Sequence, residues 1–140
     1  MGALLDTDTI SGTAVQQLRA GYFFLNAALY AGFALACTLA PEQMAQALGY
    51  AALAPGGRSE FLVVYGGLQL GLALVFYCFA RQTGLHRVGL QFALTLYSPI
   101  VCFRAATLLM HWPVTLLTLI TTCLENMLLI VAMALNWIRR

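Results

Sequence analysis

Four long apolar runs separated by short polar interruptions set the pattern of the chain, at about 21–40, 61–80, 88–110 and 114–137. At a rise of ~1.5 Å per residue, each is long enough as a helix to cross the ~30 Å hydrocarbon core of a bilayer. None alternates apolar and polar residues as a spanning strand would, and a spanning segment must satisfy its own backbone hydrogen bonds. The pattern predicts an all-α fold, a four-transmembrane-helix bundle forming one integral membrane domain over 1–140, with both termini on the same side. The segment 41–59 is the one sizeable piece outside the runs. Its Glu42, Gln43 and Gln46 interleave with Met44, Ala47, Leu48 and Tyr50, which predicts a short interfacial helix that breaks at Ala54-Pro55-Gly56-Gly57. The other connections are tight hairpins, Gln82 to Arg87 on one side and His111-Trp112-Pro113 on the other. Thr7, Thr9, Ser11 or Thr13 is expected to cap the first helix.

Composition fixes the environment, because 61% of the residues are hydrophobic and only 9% charged, which few chains outside a membrane show. The first 20 residues carry Asp6 and Asp8 and lack a basic leading stretch, unlike a cleavable signal peptide. All seven basic residues are arginine, and they lie mostly at segment ends rather than on a basic face, which speaks against nucleic acid as a partner. Arg19, Arg81, Arg87, Arg139 and Arg140 fall on one side and Arg58 on the other, so the positive-inside rule places both termini in the cytoplasm. Cys37, Cys78, Cys102 and Cys123 each sit within an apolar run, with no CxxC and no adjacent histidine, and are expected to fill apolar space.

Two charges break the apolar runs. Glu125 stands about 11 residues from either end of the last run, ~16 Å from each surface, and Arg104 lies ~9 Å below the outer boundary on the neighbouring helix. An unpaired charge at the centre of a spanning helix costs ~2.5–3.5 kcal/mol on insertion scales, so the two are expected to pair. Tyr65 and Gln69 fall on one face of the second run, with Glu60 and Arg58 at its mouth. Glu60, Tyr65, Gln69, Arg104 and Glu125 are therefore the candidate binding residues, lining a vestibule that narrows toward the membrane centre. Two readings of the central pair stand side by side: a titratable carboxylate and an anion or carbonyl anchor in a site, or a buried pair that fixes how the last two helices dock. Tyr65 and Gln69 have bland readings too, as an interface aromatic and an interhelical hydrogen bond.

Gly67 and Gly71 form a GxxxG pair and Ala28 with Gly32 a similar one, both suited to close helix contact, within the bundle in preference to between chains. Pro99 removes a hydrogen bond to Thr95 and should bend the third span. His86 and His111 sit at opposite surfaces and are expected to be interfacial anchors; neither has a metal-ligand partner at matching depth. No Ser/His/Asp set, phosphate-cradling glycine loop or HExxH occurs. Catalytic and metal sites are accordingly not expected, nor is a bound cofactor, and an enzyme is the less favoured class.

The chain resembles a bacterial family of small four-span integral membrane proteins with a YGG tract in span two, distantly DoxX-like in topology. The resemblance rests on Glu60 leading to Tyr65-Gly66-Gly67 with Gly71 following, Arg81, Arg87 and Gly89 around the inner hairpin, Arg104, Pro113 and Glu125, and covers about residue 55 to the C-terminus. Where such proteins often carry an arginine ahead of the YGG tract, this chain has Leu62. The resemblance implies the four-span fold and a multi-pass protein of the bacterial inner membrane. Because DoxX-like proteins include partners of quinone-linked redox enzymes, it also implies a quinone or lipid ligand. Together these lead to an expected binding or accessory protein, its outward-facing polar cleft taking a quinone-like or lipid ligand or a partner membrane subunit, with a homo-oligomer as a further partner class. The alternative is a small proton-coupled transporter or channel in which Glu125 titrates.

Overall fold

The structure is a computed structural model that describes the backbone of residues 3–138 and the side chains of residues 12–138. Helix α1 runs Ala3–Leu39, and a short α2, Pro41–Ala47, comes after it. The second rod begins as α3, Pro55–Phe61, passes through a π-helical stretch, Leu62–Leu68, and continues as α4, Gln69–Arg81. A 3-10 turn, Thr83–Leu85, leads to α5, His86–Met110, and an outer hairpin leads to α6, Leu116–Trp137. Among the described residues the four rods Gly12–Leu39, Pro55–Arg81, Thr83–Met110 and Leu116–Trp137 are long and apolar enough to cross a membrane. The chain is an all-α, four-helix, multi-pass membrane protein.

Local chemistry sets the boundaries. Helix α1 already runs from Ala3, so Thr7, Thr9, Ser11 and Thr13 lie inside it and none begins it, a correction to the expected cap; the side chains of Thr7, Thr9 and Ser11 lie outside the described residues. Pro41 opens α2 at a position where its missing N–H costs nothing. Gly49 closes α2, since its φ of 97° lets Gly49 N–H donate to the Gln46 carbonyl at 2.9 Å and Tyr50 N–H to the Ala45 carbonyl at 2.9 Å. That pair of bonds is the Schellman closure that glycine permits. Pro55 lies at the first turn of α3 after extended Ala54, so the Pro55-Gly56-Gly57 expected as a break instead starts the second rod. Thr115 caps α6 by accepting from Thr118 N–H at 3.3 Å. The hairpin before it contains a cis Trp112–Pro113 bond, and Pro99 lies within a continuous α5.

Packing divides the bundle across its thickness. In the half nearer the chain termini, Phe23 meets the rings of Phe76 at 6.3 Å, Phe79 at 5.7 Å and His86 at 5.5 Å. Leu90, Ala93 and Tyr97 of α5 and Leu128, Ala132 and Leu135 of α6 complete this core. In the outer half a smaller cluster, Cys37, Ala45 and Phe61, docks α2 onto α1 and α3. Between Ser98 and Met127, across the outer halves of α5 and α6, no described residue is fully buried. The bundle is thus packed more tightly at the inner end than along the outer halves of α5 and α6.

Glycines show which helix faces touch. A side chain at Gly89 would place its Cβ 2.7 Å from Phe23 and 2.8 Å from Phe79, and one at Gly66 would meet Thr38 at 2.9 Å. Gly67, Gly71 and Gly32 have open space where a Cβ would point, and Ala28 is exposed. The expected GxxxG contact within the bundle is therefore corrected: Gly66, one residue earlier, makes the close approach, and the Gly67/Gly71 and Ala28/Gly32 stripes lie on the outer surface. Gly89→Ala should destabilise the protein by about 1–3 kcal/mol through overpacking of the Phe23 cluster, whereas Gly67→Ala should be neutral. Thermal unfolding in detergent compares the two.

Candidate functional site

Arg104 and Glu125 meet directly above the packed inner core. Arg104 Nε donates to Glu125 Oε2 at 3.0 Å and Nη2 donates to Oε1 at 2.8 Å, a bidentate pair linking α5 to α6. Such fork geometry joins two hydrogen bonds to the charge attraction and holds both planes in place. The side chains keep 30% and 17% exposure, so the pair lies outside the fully buried core. Arg104 stands seven residues, two helical turns, beyond Tyr97, so the two share one face of α5.

Tyrosines surround the pair. Tyr65, on the π-helical stretch, lies within electrostatic reach of Arg104, shares a hydrogen bond with the Tyr50 hydroxyl at 3.1 Å and tilts against Phe61 at 4.7 Å. Tyr30 and Tyr97 interact with each other and lie within electrostatic reach of Glu125. Below them Tyr97 donates to Asn26 Oδ1 at 2.6 Å, Asn26 Nδ2 donates to the Tyr22 carbonyl at 2.7 Å, and the Tyr22 hydroxyl donates to the Leu128 carbonyl at 3.1 Å. A satisfied polar column therefore descends from the outer surface through the middle of the bundle. Asn26 is fully buried; its oxygen accepts from Tyr97, which ties α1 to α5, and its nitrogen donates within α1 to the Tyr22 carbonyl.

The five candidate residues divide. Arg104 and Glu125 are joined and Tyr65 approaches them. Glu60 is exposed and Gln69 is half-buried, and neither is bonded to the Arg104–Glu125 pair, whose hydrogen bonds are to each other. Arg58 pairs instead with Glu42 at 3.3 Å on the exposed surface, where such contacts contribute little. The π-helical winding over the YGG tract takes in an extra residue per hydrogen-bonded loop, so counting depth and register as α-helix from Phe61 misplaces the residues beyond the tract. Asn26, Tyr30 and Tyr97 are hard to single out in the sequence because lone polar residues within apolar runs resemble interface aromatics or interhelical bonds. Their spacing held a signal: Tyr22, Asn26, Tyr30 and Phe33 recur at helical intervals on one face of α1.

Two further residues differ from expectation. His86 is 2% exposed and sits against Phe23, so it is a core residue and not an interfacial anchor; the helical turn that begins α5 rolls it inward. His111 is exposed at the outer hairpin. Cys37 is buried, whereas Cys78, Cys102 and Cys123 are free thiols on the outer surface, where they add to the apolar face and not to a core. Among the described residues no group of histidine, cysteine or carboxylate side chains is arranged to hold a metal.

Arg104→Leu or Glu125→Leu should each destabilise the fold by about 3 kcal/mol, because each strands one charge in an apolar bundle. The double substitution should recover most of that loss. Glu125→Leu should be the worse single change, since a stranded carboxylate can take up a proton and arginine cannot shed one. Denaturant unfolding of the four proteins in detergent completes the cycle. No protein-family model, curated protein or solved structure matches this chain.

Proposed function

We propose that this protein is a membrane-embedded binding or accessory protein, and that the outer half of the bundle takes the polar head of a quinone-like or lipid ligand against Arg104, Glu125 and Tyr65. The observation that carries this reading is the bidentate ion pair within two spanning helices, held by two hydrogen bonds while its side chains stay 30% and 17% exposed. Carbonyl and hydroxyl groups of an amphipathic ligand suit a guanidinium edge and tyrosine hydroxyls, and the apolar walls suit its tail. A partner membrane subunit seated over the same pair is the accessory form of the reading. The protein belongs, on this view, to the bacterial inner membrane, with both termini in the cytoplasm as the arginine distribution indicates. Its place is near the YGG-bearing four-span family of DoxX-like topology that the sequence resembles.

Proton-coupled transport through Glu125 has less support. The column below the pair passes through Asn26, whose carboxamide accepts from Tyr97 and donates to a backbone carbonyl. A carboxamide held in this way does not hand protons on as a chain of hydroxyls or carboxylates would.

Native mass spectrometry of protein released from its own membranes, with organic extraction of what it carries, tests the binding reading. Wild type should retain a discrete quinone-like or lipid species that Glu125→Gln and Tyr65→Phe lose while remaining folded. Equal ligand content in folded wild type and variants would sink it. In liposomes under a pH gradient, wild type and Glu125→Gln should be equally tight to protons; flux in wild type that the variant lacks would favour transport instead.

A further inference from the structure

We propose that His86 is an acid-sensitive latch at the inner end of the bundle, which as a neutral ring holds the start of α5 against α1 and on protonation releases it. The latch is independent of any ligand at the Arg104–Glu125 pair.

The ring sits where a positive charge finds no partner. His86 is the first residue of α5 and is 2% exposed. From α1, Phe23 packs on it with ring centroids 5.5 Å apart, and Arg19 lies within electrostatic reach. From α4, the Ala80 carbonyl comes near enough to act on the ring, yet neither Nδ1 nor Nε2 makes a hydrogen bond. Among the described residues, the buried side-chain nitrogens and oxygens left without a partner are these two and Arg19 Nε. The unmet polar atoms therefore gather at one junction, while the Asn26–Tyr97 column above it is satisfied.

Protonation makes this position worse. A neutral imidazole leaves one donor and one acceptor unmet, whereas an imidazolium brings two unmet donors and a full charge. Arg19 already carries a positive charge here, tied through Nη2 to the Leu135 carbonyl of α6 at 3.0 Å. Among the described charges it is Arg19, and not a carboxylate, that acts on the ring, and the neighbours along the hairpin, Arg81 and Arg87, are basic as well. A second cation enclosed beside Arg19 is both repelled and poorly solvated, and it gains water by leaving Phe23. The way out is short, since Arg87, the next residue, is exposed. Gly89 packs against the same Phe23 ring, so displacing His86 disturbs the contact that joins α5 to α1. The neutral ring is the form the fold accepts; stability is complete at neutral pH and declines as pH falls through the ordinary imidazole range, about 6.5. His111, the other histidine, is exposed at the outer hairpin and stays solvated in either form.

Denaturant unfolding of the full chain in detergent at about pH 7.5 and about pH 5.5 tests the latch. A histidine that titrates normally when unfolded and stays neutral when folded lowers the folded-to-unfolded ratio about tenfold over that interval. Wild type should show this loss and His111→Gln should keep it. His86→Phe, which retains a ring against Phe23, and His86→Gln, which is polar and does not titrate, should each lack it, so either one that folds serves. Amide exchange locates the effect: the ratio of wild-type to variant rates should rise on acidification over residues 86–97 and stay level over 116–125. Absence of the acid loss in wild type, its persistence in a folded His86 variant, or an equal rise over both segments would overturn the proposal.

Discussion

The contact of Phe23 with Phe76, Phe79 and His86 is the constraint on which the rest of the molecule depends. It draws α1, α4 and α5 together at the inner end, and only glycine at position 89 leaves room for the rings. Aromatic groups of this size dominate packing energy where they are enclosed. Within a bilayer they matter more, because lipid tails compete equally for apolar surface and helix association rests on fit. Among the described residues no comparable ring cluster joins α5 and α6 to the rest of the bundle at the outer end.

That unevenness gives the polar groups their arrangement. Below the boundary each buried polar side chain in the column is matched: Tyr97 with Asn26, Asn26 with a backbone carbonyl, Tyr22 with another. At the boundary a bidentate ion pair satisfies two charges that neither helix could carry alone. In the outer half, Tyr65 of the π-helical stretch shares a hydrogen bond with Tyr50 and packs on Phe61.

Individual expectations show where sequence reasoning has physical purchase. Depth arithmetic brought Arg104 and Glu125 together because both lie in regular helices joined by a short hairpin, where rise per residue is constant. Across the YGG tract the winding changes to a π-helix, so rise per residue there is no longer that of a regular α-helix. His86 was misplaced because one helical turn decides whether a residue at a span end faces water or core. Glycine spacing identified small faces but not which face meets a neighbour, and Gly66 rather than Gly67 proved to be the contact.

The sequence by itself determined the environment, the four spans, their antiparallel order and the need to pair two intramembrane charges. Hydrophobic run length, backbone hydrogen bonding and the cost of charge in hydrocarbon are properties of segments and do not depend on which helix lies beside which. Tertiary structure alone decided the tightly packed inner end, the Asn26–Tyr97 tie and the burial of His86. Those depend on helix rotation and on which faces meet, and in a chain that is apolar on nearly every side hydrophobicity does not distinguish the face toward a neighbour from the face toward lipid.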